Sequence, residues 1–253
     1  MPSPPTNRLL SALPDKDRVR VLARCDRIEL GAAHVLYQAG ARLRYVYFPI
    51  DSYVSLMTSL DSCAGLEVAL VGNEGMVGVS LLLGVSTSPR NHLVQGAGSA
   101  LRITAASFAG EIERSQALRR RLNRYAYVKM HQFAQTAACT HFHGIEKRLA
   151  RWMLTTRDRS HSNDFHATHE FLACALGVRR VGITKAASSL QHQLLISYRR
   201  GDITILDGRR LEDNACGCYV AGIELYDRIL GRDVSAGAGL GSRLASQVRG
   251  ASA

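Results

Sequence analysis

Leu172-Ala-Cys-Ala-Leu-Gly-Val-Arg-Arg-Val-Gly-Ile-Thr-Lys-Ala-Ala-Ser-Ser-Leu-Gln191, followed by Leu195-Ile-Ser-Tyr198 and Ile203-Thr-Ile-Leu206, is the stretch that decides the fold. Thr168 stands where it can N-cap a helix running through Phe171, Leu172 and Leu176. Gly177 stops that helix, because glycine reaches positive φ at little cost. A second helix is expected from about Arg179 to His192, with Val181, Ile183, Ala186, Ala187 and Leu190 apolar. Two alternating strands then follow, joined by Arg199-Arg200-Gly201-Asp202 as a turn.

Helix, glycine turn, helix and hairpin is the order of a winged helix-turn-helix. Upstream, residues 106–160 are helical in texture. From Ser107 to His143 there is no proline, and Gly110 is the only glycine. Leu118, Leu122, Tyr125, Val128, Gln132, Phe133, Thr136 and Cys139 recur at three- and four-residue steps, which suggests one long helix with a coiled-coil-like seam. Ala134, Ala137 and Ala138 would let a partner approach closely. The competing reading is a helix packed on its own β domain. Gly144 separates this helix from another, Ile145 to about Arg157. Further upstream, residues 25–105 hold short apolar stretches between turn residues and many glycines, the pattern of a small all-β roll or barrel. Residues 7–24 read as a short helix interrupted at Pro14. From Asp233 the chain is rich in Gly, Ala and Ser and reads as a disordered tail.

The 253 residues carry a net charge of +11, and 46% are hydrophobic. That is enough apolar side chain for real cores and excludes wholesale disorder. The most apolar run, Met76 to Val85, is half the roughly 20 residues of a membrane span. No signal peptide is visible after Met1, and the six scattered cysteines are expected reduced in a cytoplasm. Residues 1–110 hold 10 basic and 8 acidic side chains, and residues 111–253 hold 22 and 13. The excess of the second half suggests a polyanion partner, nucleic acid or anionic membrane. No phosphate-binding loop, Gly-x-Ser-x-Gly elbow or His-Glu-x-x-His motif occurs, so an enzyme is not expected.

The helix–turn–helix segment from Leu172 resembles the DNA-binding segment of Crp/Fnr-family transcription regulators. The β region, with Gly72-Asn-Glu-Gly-Met-Val-Gly78, resembles their cyclic-nucleotide-binding-type jelly roll. The helix near 112–140 sits where the family has its dimerisation helix. The resemblance implies an α+β chain with a jelly-roll sensor at 7–110, a dimerisation helix at 111–143, a winged helix-turn-helix at 144–230 and a disordered tail at 231–253. It implies a dimeric cytoplasmic regulator with double-stranded DNA and RNA polymerase as partners and no membrane. Leu118, Leu122, Tyr125, Phe133 and Thr136 would form the dimer interface. The alternative is a sensor module acting on a protein partner.

A recognition helix enters the major groove with its N-terminal residues toward base edges. Here Arg179, Arg180, Thr184 and Lys185 occupy that end, with Ser188 one turn on. Arginine suits the O6/N7 pair of guanine, and Val181 would either touch a thymine methyl or belong to the core. Thr168 is placed for a phosphate, as are Arg199 and Arg200 on the wing. The family's fumarate-nitrate type has Glu-x-x-Ser-Arg where this chain has Val181-Gly-Ile-Thr184-Lys185, so a different operator is expected. Cyclic-AMP-binding members use a Gly-Glu pair for the ribose and Arg-Ser or Arg-Thr for the phosphate. The matching positions are Gly78-Val79 and Arg90-Asn91, and the lost carboxylate argues against cyclic AMP. Gly78, Arg90 and Asn91 stand as effector-site candidates for an unknown small molecule, with no cofactor identified. Only Cys25 and Cys63 precede residue 130, against an N-terminal iron–sulfur cluster. Cys139 and His143, at i and i+4, are too few for a structural zinc site, so no metal is expected. Cys216-Gly-Cys218 is a short-spaced pair, Cys174 is expected in the core, and His161, His166 and His169 read as loop or surface residues.

Overall fold

The computed structural model describes residues 6–60 and 63–231. The expected disordered tail lies almost wholly outside them. Two short helices open the chain, α1 (Arg8–Ser11) and α2 (Asp15–Leu22), with Pro14 at the N-cap of the second. Asn7 caps α1 by accepting from the Leu9 and Leu10 amides, and its Nδ2 donates to Pro49 O at 3.0 Å and Gly75 O at 2.8 Å. One side chain thereby pins the N-terminus to the roll.

The roll comprises β1 (Asp26–Leu30), β2 (Val35–Tyr37), β3 (Tyr45–Pro49), β4 (Tyr53–Leu60), β5 (Cys63–Val71), β6 (Asn91–Gly96) and β7 (Gly98–Thr104), with a 3-10 turn at Val79–Leu83. The strands form two antiparallel sheets, β1-β7-β3 and β2-β6-β4-β5. Alternation sends Leu30, Tyr47, Val54, Leu56, Val94 and Ala100 into one buried cluster between them.

The helical run expected from Ser107 to His143 is two helices, α3 (Ala105–Arg114) and α4 (Gln116–Phe142). Ser115 divides them. Its backbone is extended and its Oγ accepts from the Leu118 amide, because a serine there is worth more as an N-cap than as a helix interior residue. Next come α5 (Ile145–Ser160), β8 (Asp164–His166), α6 (His169–Leu176), α7 (Arg180–His192), β9 (Ile196–Arg199), β10 (Asp202–Ile205), α8 (Gly208–Asn214) and α9 (Cys218–Leu230). The three strands pair antiparallel in the order β8-β10-β9. Leu149, Met153, Leu172, Ile183, Leu190, Ile196 and Ile203 build one core beneath α5–α7 and this sheet.

The apolar stripe of α4 is consumed inside the chain. Leu118, Leu122, Tyr125 and Val128 are fully buried with Leu9, Phe48, Met76 and Phe108 of the roll side. Phe133 packs on the roll's inner cluster, and Thr136 is half-buried. Leu118, Leu122 and Tyr125 of the expected dimer interface are therefore buried within the chain, while Phe133 and Thr136 are half-buried. Periodicity reported a buried face, and what buries it is this chain's own roll together with α1, α3 and α9. A second departure concerns α9, expected with the winged helix. Its last turns carry Leu225, Tyr226 and Leu230 back into the roll-side core, where the Tyr226 hydroxyl donates to Glu74 O at 2.7 Å.

The C-terminal helices also dock directly on the roll. Trp152 Nε1 donates to Glu67 Oε1 at 2.9 Å, and α6 lies against β5, with the Cys174 thiol donating to Gly65 O at 3.0 Å. Cys174, expected in the core, is a half-buried contact of this docking face.

Candidate nucleic-acid interface

Thr168 Oγ1 accepts from the Phe171 amide at 3.1 Å and starts α6, with the side chain exposed to solvent. Gly177, at φ +62°, ends α6 in the left-handed region. α7 is held by Ile183, Ala186, Ala187 and Leu190, all buried. The opposite face presents Arg180, Val181, Thr184, Lys185 and Ser188 to solvent, with Arg179 exposed at the N-cap. Val181 is 58% exposed, which removes the core reading for that residue.

His169 was not legible as a positioning residue. It is half-buried, its ring lies edge-on to Tyr198 at 4.6 Å, and its Nδ1 is 3.2 Å from Thr184 Oγ1. It thereby ties α6, α7 and β9 together. Burial, then the nearby Arg180, lowers its pKa. No sequence spacing signals this, because the three elements meet only in the fold.

The hairpin pairs Arg199 with Asp202 across the turn. Arg200 (φ +53°) and Gly201 (φ +95°) both have positive φ, as a two-residue turn between twisted strands requires. Arg199 and Arg200 are exposed at its tip. Exposed basic side chains are thus presented by both α7 and the hairpin.

The effector candidates do not converge in the same way. Gly78 (φ +100°) and Arg90 line a cavity of about 40 Å³ with Tyr125, Lys129 and Phe133. The Arg90 guanidinium lies 4.6 Å above the Phe133 ring and helps to fill it. Asn91 is not in its lining; Asn91 Oδ1 accepts from the Ala39 amide at 2.8 Å. Nucleotide-sized ligands occupy pockets of roughly 300 Å³ or more. A larger cavity, about 230 Å³, lies between roll and C-terminal helices and is lined by Glu67, Gln132, Arg148, Arg151, Cys218 and Arg159 among others.

His92, on the wall of the smaller cavity, supplies a pH prediction. It is 5% exposed, its Nε2 is 3.1 Å from Ser88 Oγ, and Nδ1 has no hydrogen-bond partner among the described residues. Burial, then the charge of Arg90, pushes its pKa down to about 4. An unfolded histidine titrates near ~6.5, so between these values the unfolded chain binds a proton that the folded chain refuses. Stability should therefore be full above pH 6.5 and fall by up to about 3 kcal/mol as pH drops to 4. His92→Gln should remove that part of the acid loss. Urea midpoints of both proteins at pH 7 and pH 4.5 test this, and equal losses in the two would refute it.

Residues 147–213 match the family model described as the Crp-like helix-turn-helix domain. No curated protein matches the chain by sequence. Among solved structures, it is similar to a transcriptional regulator of the Crp/Fnr family from Eubacterium rectale, described there as putative, at 17% identity and TM-score 0.64, covering 81% of this chain and 96% of that one. FixK2 from Bradyrhizobium japonicum matches at 13% identity and TM-score 0.65, covering 76% and 98%. The c-di-GMP responsive global regulator CLP from Xanthomonas campestris matches at 15% identity and TM-score 0.62, covering 76% and 99%. The chain carries a Crp-like helix-turn-helix domain at residues 147–213, set in the fold of Crp/Fnr-family regulators.

Proposed function

We propose that this protein is a dimeric, sequence-specific DNA-binding transcription regulator acting in the cytoplasm, with RNA polymerase as a further partner. The observation that carries the reading is α7: one face is locked in the core and the other offers Arg180, Val181, Thr184, Lys185 and Ser188 to solvent. In this reading α7 lies in the major groove. Arg180 and Lys185 read base edges, and Val181 touches a thymine methyl. Thr168, Arg179, Arg199 and Arg200 hold phosphates and set the register.

The dimer forms through the outer face of α4. Tyr127, Met130, Ala134 and Ala137 step along it by three and four residues, and Tyr127 and Met130 are 55% and 67% exposed. Two large apolar side chains followed by two alanines, at alternating three- and four-residue steps, suit a parallel pair of helices. A two-fold dimer reads a pseudo-palindrome with half-sites about 34 Å apart. Cyclic AMP is not its effector: the ribose-binding carboxylate is replaced by Val79, and the cavity that Gly78 lines with Arg90 and Phe133 measures only about 40 Å³.

Selection of bound fragments from sheared genomic DNA, followed by gel shifts, tests the function. A few fragments sharing a two-fold symmetric site should bind at least a thousandfold tighter than random DNA. If every fragment binds alike, the DNA-reader assignment fails and a sensor acting on a protein partner takes its place.

A further inference from the structure

Four potential metal ligands converge where α4 ends and α9 begins. Cys139 lies in the last turn of α4, and His143 is its C-cap residue. Cys216 and Cys218 flank Gly217, the N-cap of α9. Their ligand atoms all lie within 4.8 Å of one another. Cys139 Sγ is 3.5 Å from Cys216 Sγ, and Cys218 Sγ is 3.6 Å from His143 Nδ1. Zinc binds sulfur at about 2.3 Å and imidazole nitrogen at about 2.0–2.1 Å, so the edges of such a tetrahedron measure roughly 3.5–3.8 Å. The two distances are those of neighbouring ligands around one ion.

Three further observations fit. All four cysteine and histidine groups are buried or half-buried, as a closed site requires. Arg151 lies near enough to act electrostatically on all three thiols, and its positive charge would balance the excess of three thiolates over one dication. Cys218 and Thr140 line the 230 Å³ cavity, which opens a path for an entering ion.

We propose that Cys139, His143, Cys216 and Cys218 form a tetrahedral three-cysteine, one-histidine site for one zinc ion. Soft thiolates with one imidazole in a closed tetrahedron favour zinc over calcium, magnesium or manganese, which prefer oxygen. Binding exchanges three thiol protons for the cation and releases them to solvent; nothing is oxidised or reduced. The ion staples α4 to α9 on either side of the Gly144 junction. It thereby fixes the angle at which α5 and the DNA-reading helices leave the central helix. In sequence, Cys139 and His143 stood alone as two ligands; folding supplies the other two from 77 residues away.

The full-length reduced protein, purified without added metal and then titrated with zinc alone, should take up one equivalent per chain and release protons as it does so. Cobalt(II) in the same site should show intense visible bands of tetrahedral coordination and sulfur-to-metal charge transfer in the near ultraviolet. Cys218→Ser, at the cavity edge, should weaken zinc binding at least a hundredfold, while Cys25→Ser and Cys174→Ser should keep full stoichiometry. Chelation of the wild-type protein should lower its melting temperature reversibly, a readout that needs no variant. No zinc uptake by the reduced wild-type protein, octahedral cobalt spectra, or full zinc stoichiometry in both Cys216→Ser and Cys218→Ser would each overturn the proposal. So would a Cys139–Cys216 disulfide in protein purified without oxygen.

Discussion

Met130→Glu combined with Ala134→Glu leaves the protein monomeric and lowers its operator affinity by about 100-fold or more, the lower end of what joining two binding modules contributes. Both positions lie on the exposed face of α4, one turn apart. Around a two-fold axis each residue meets its symmetry mate or a close neighbour, so the substitution sets carboxylates against carboxylates. An unpaired charge buried in such a seam costs several kcal/mol, while in the monomer the same side chains sit in water at almost no cost. The fold should therefore survive, with an unchanged circular dichroism spectrum. Leu122→Ala provides the contrast. Leu122 is fully buried within the chain, so truncation should cost about 2–5 kcal/mol of stability and leave the dimer intact. Sedimentation and denaturant titration separate the two outcomes. A double variant that still sediments as a dimer, or a wild type that is monomeric at micromolar concentration, would refute the seam.

Arg180→Ala should weaken operator binding by roughly 1–3 kcal/mol and binding to scrambled DNA much less, because a bidentate base contact carries sequence information. Arg200 should behave differently. It sits at the tip of the hairpin in a left-handed conformation, which asparagine tolerates better than alanine. Arg200→Asn removes the charge without adding turn strain. It should weaken both DNAs alike and reduce the salt slope by about 0.9, since one neutralised phosphate fewer releases its counterion. Arg199→Ala should do the same. The measurement is a salt titration of each variant on operator and scrambled DNA. Equal losses on both DNAs for Arg180→Ala would make it a phosphate contact and move α7 out of the groove. No change for any variant would remove the winged helix from DNA altogether.

Residues that act through near neighbours were legible in the sequence. Thr168 caps, Gly177 stops and Gly201 turns because each answers to backbone geometry within four residues. The alternating runs of the roll and the α7 face with Ile183, Ala186, Ala187 and Leu190 follow from periods of 2 and 3.6. Ser115 was missed because a serine inside a proline-free run reads as helix until its side chain is seen to cap one.

The sequence by itself determined the succession of roll, helical stretch and winged helix, and which side of the recognition helix is apolar. Only the tertiary structure decided what each apolar side meets. The Leu118–Val128 stripe of α4 is covered by the chain's own roll and α9, leaving Tyr127, Met130, Ala134 and Ala137 exposed to solvent. It likewise decided that α9 returns to the roll-side core, that Asn91 braces a loop while Arg90 lines the cavity, and that Cys139 and His143 meet Cys216 and Cys218. The physical reason is the range of the interactions. Hydrogen-bonded turns and helical periodicity are local and are written in consecutive residues. Burial is non-directional, so a pattern states that a face leaves water but does not name the surface it packs against.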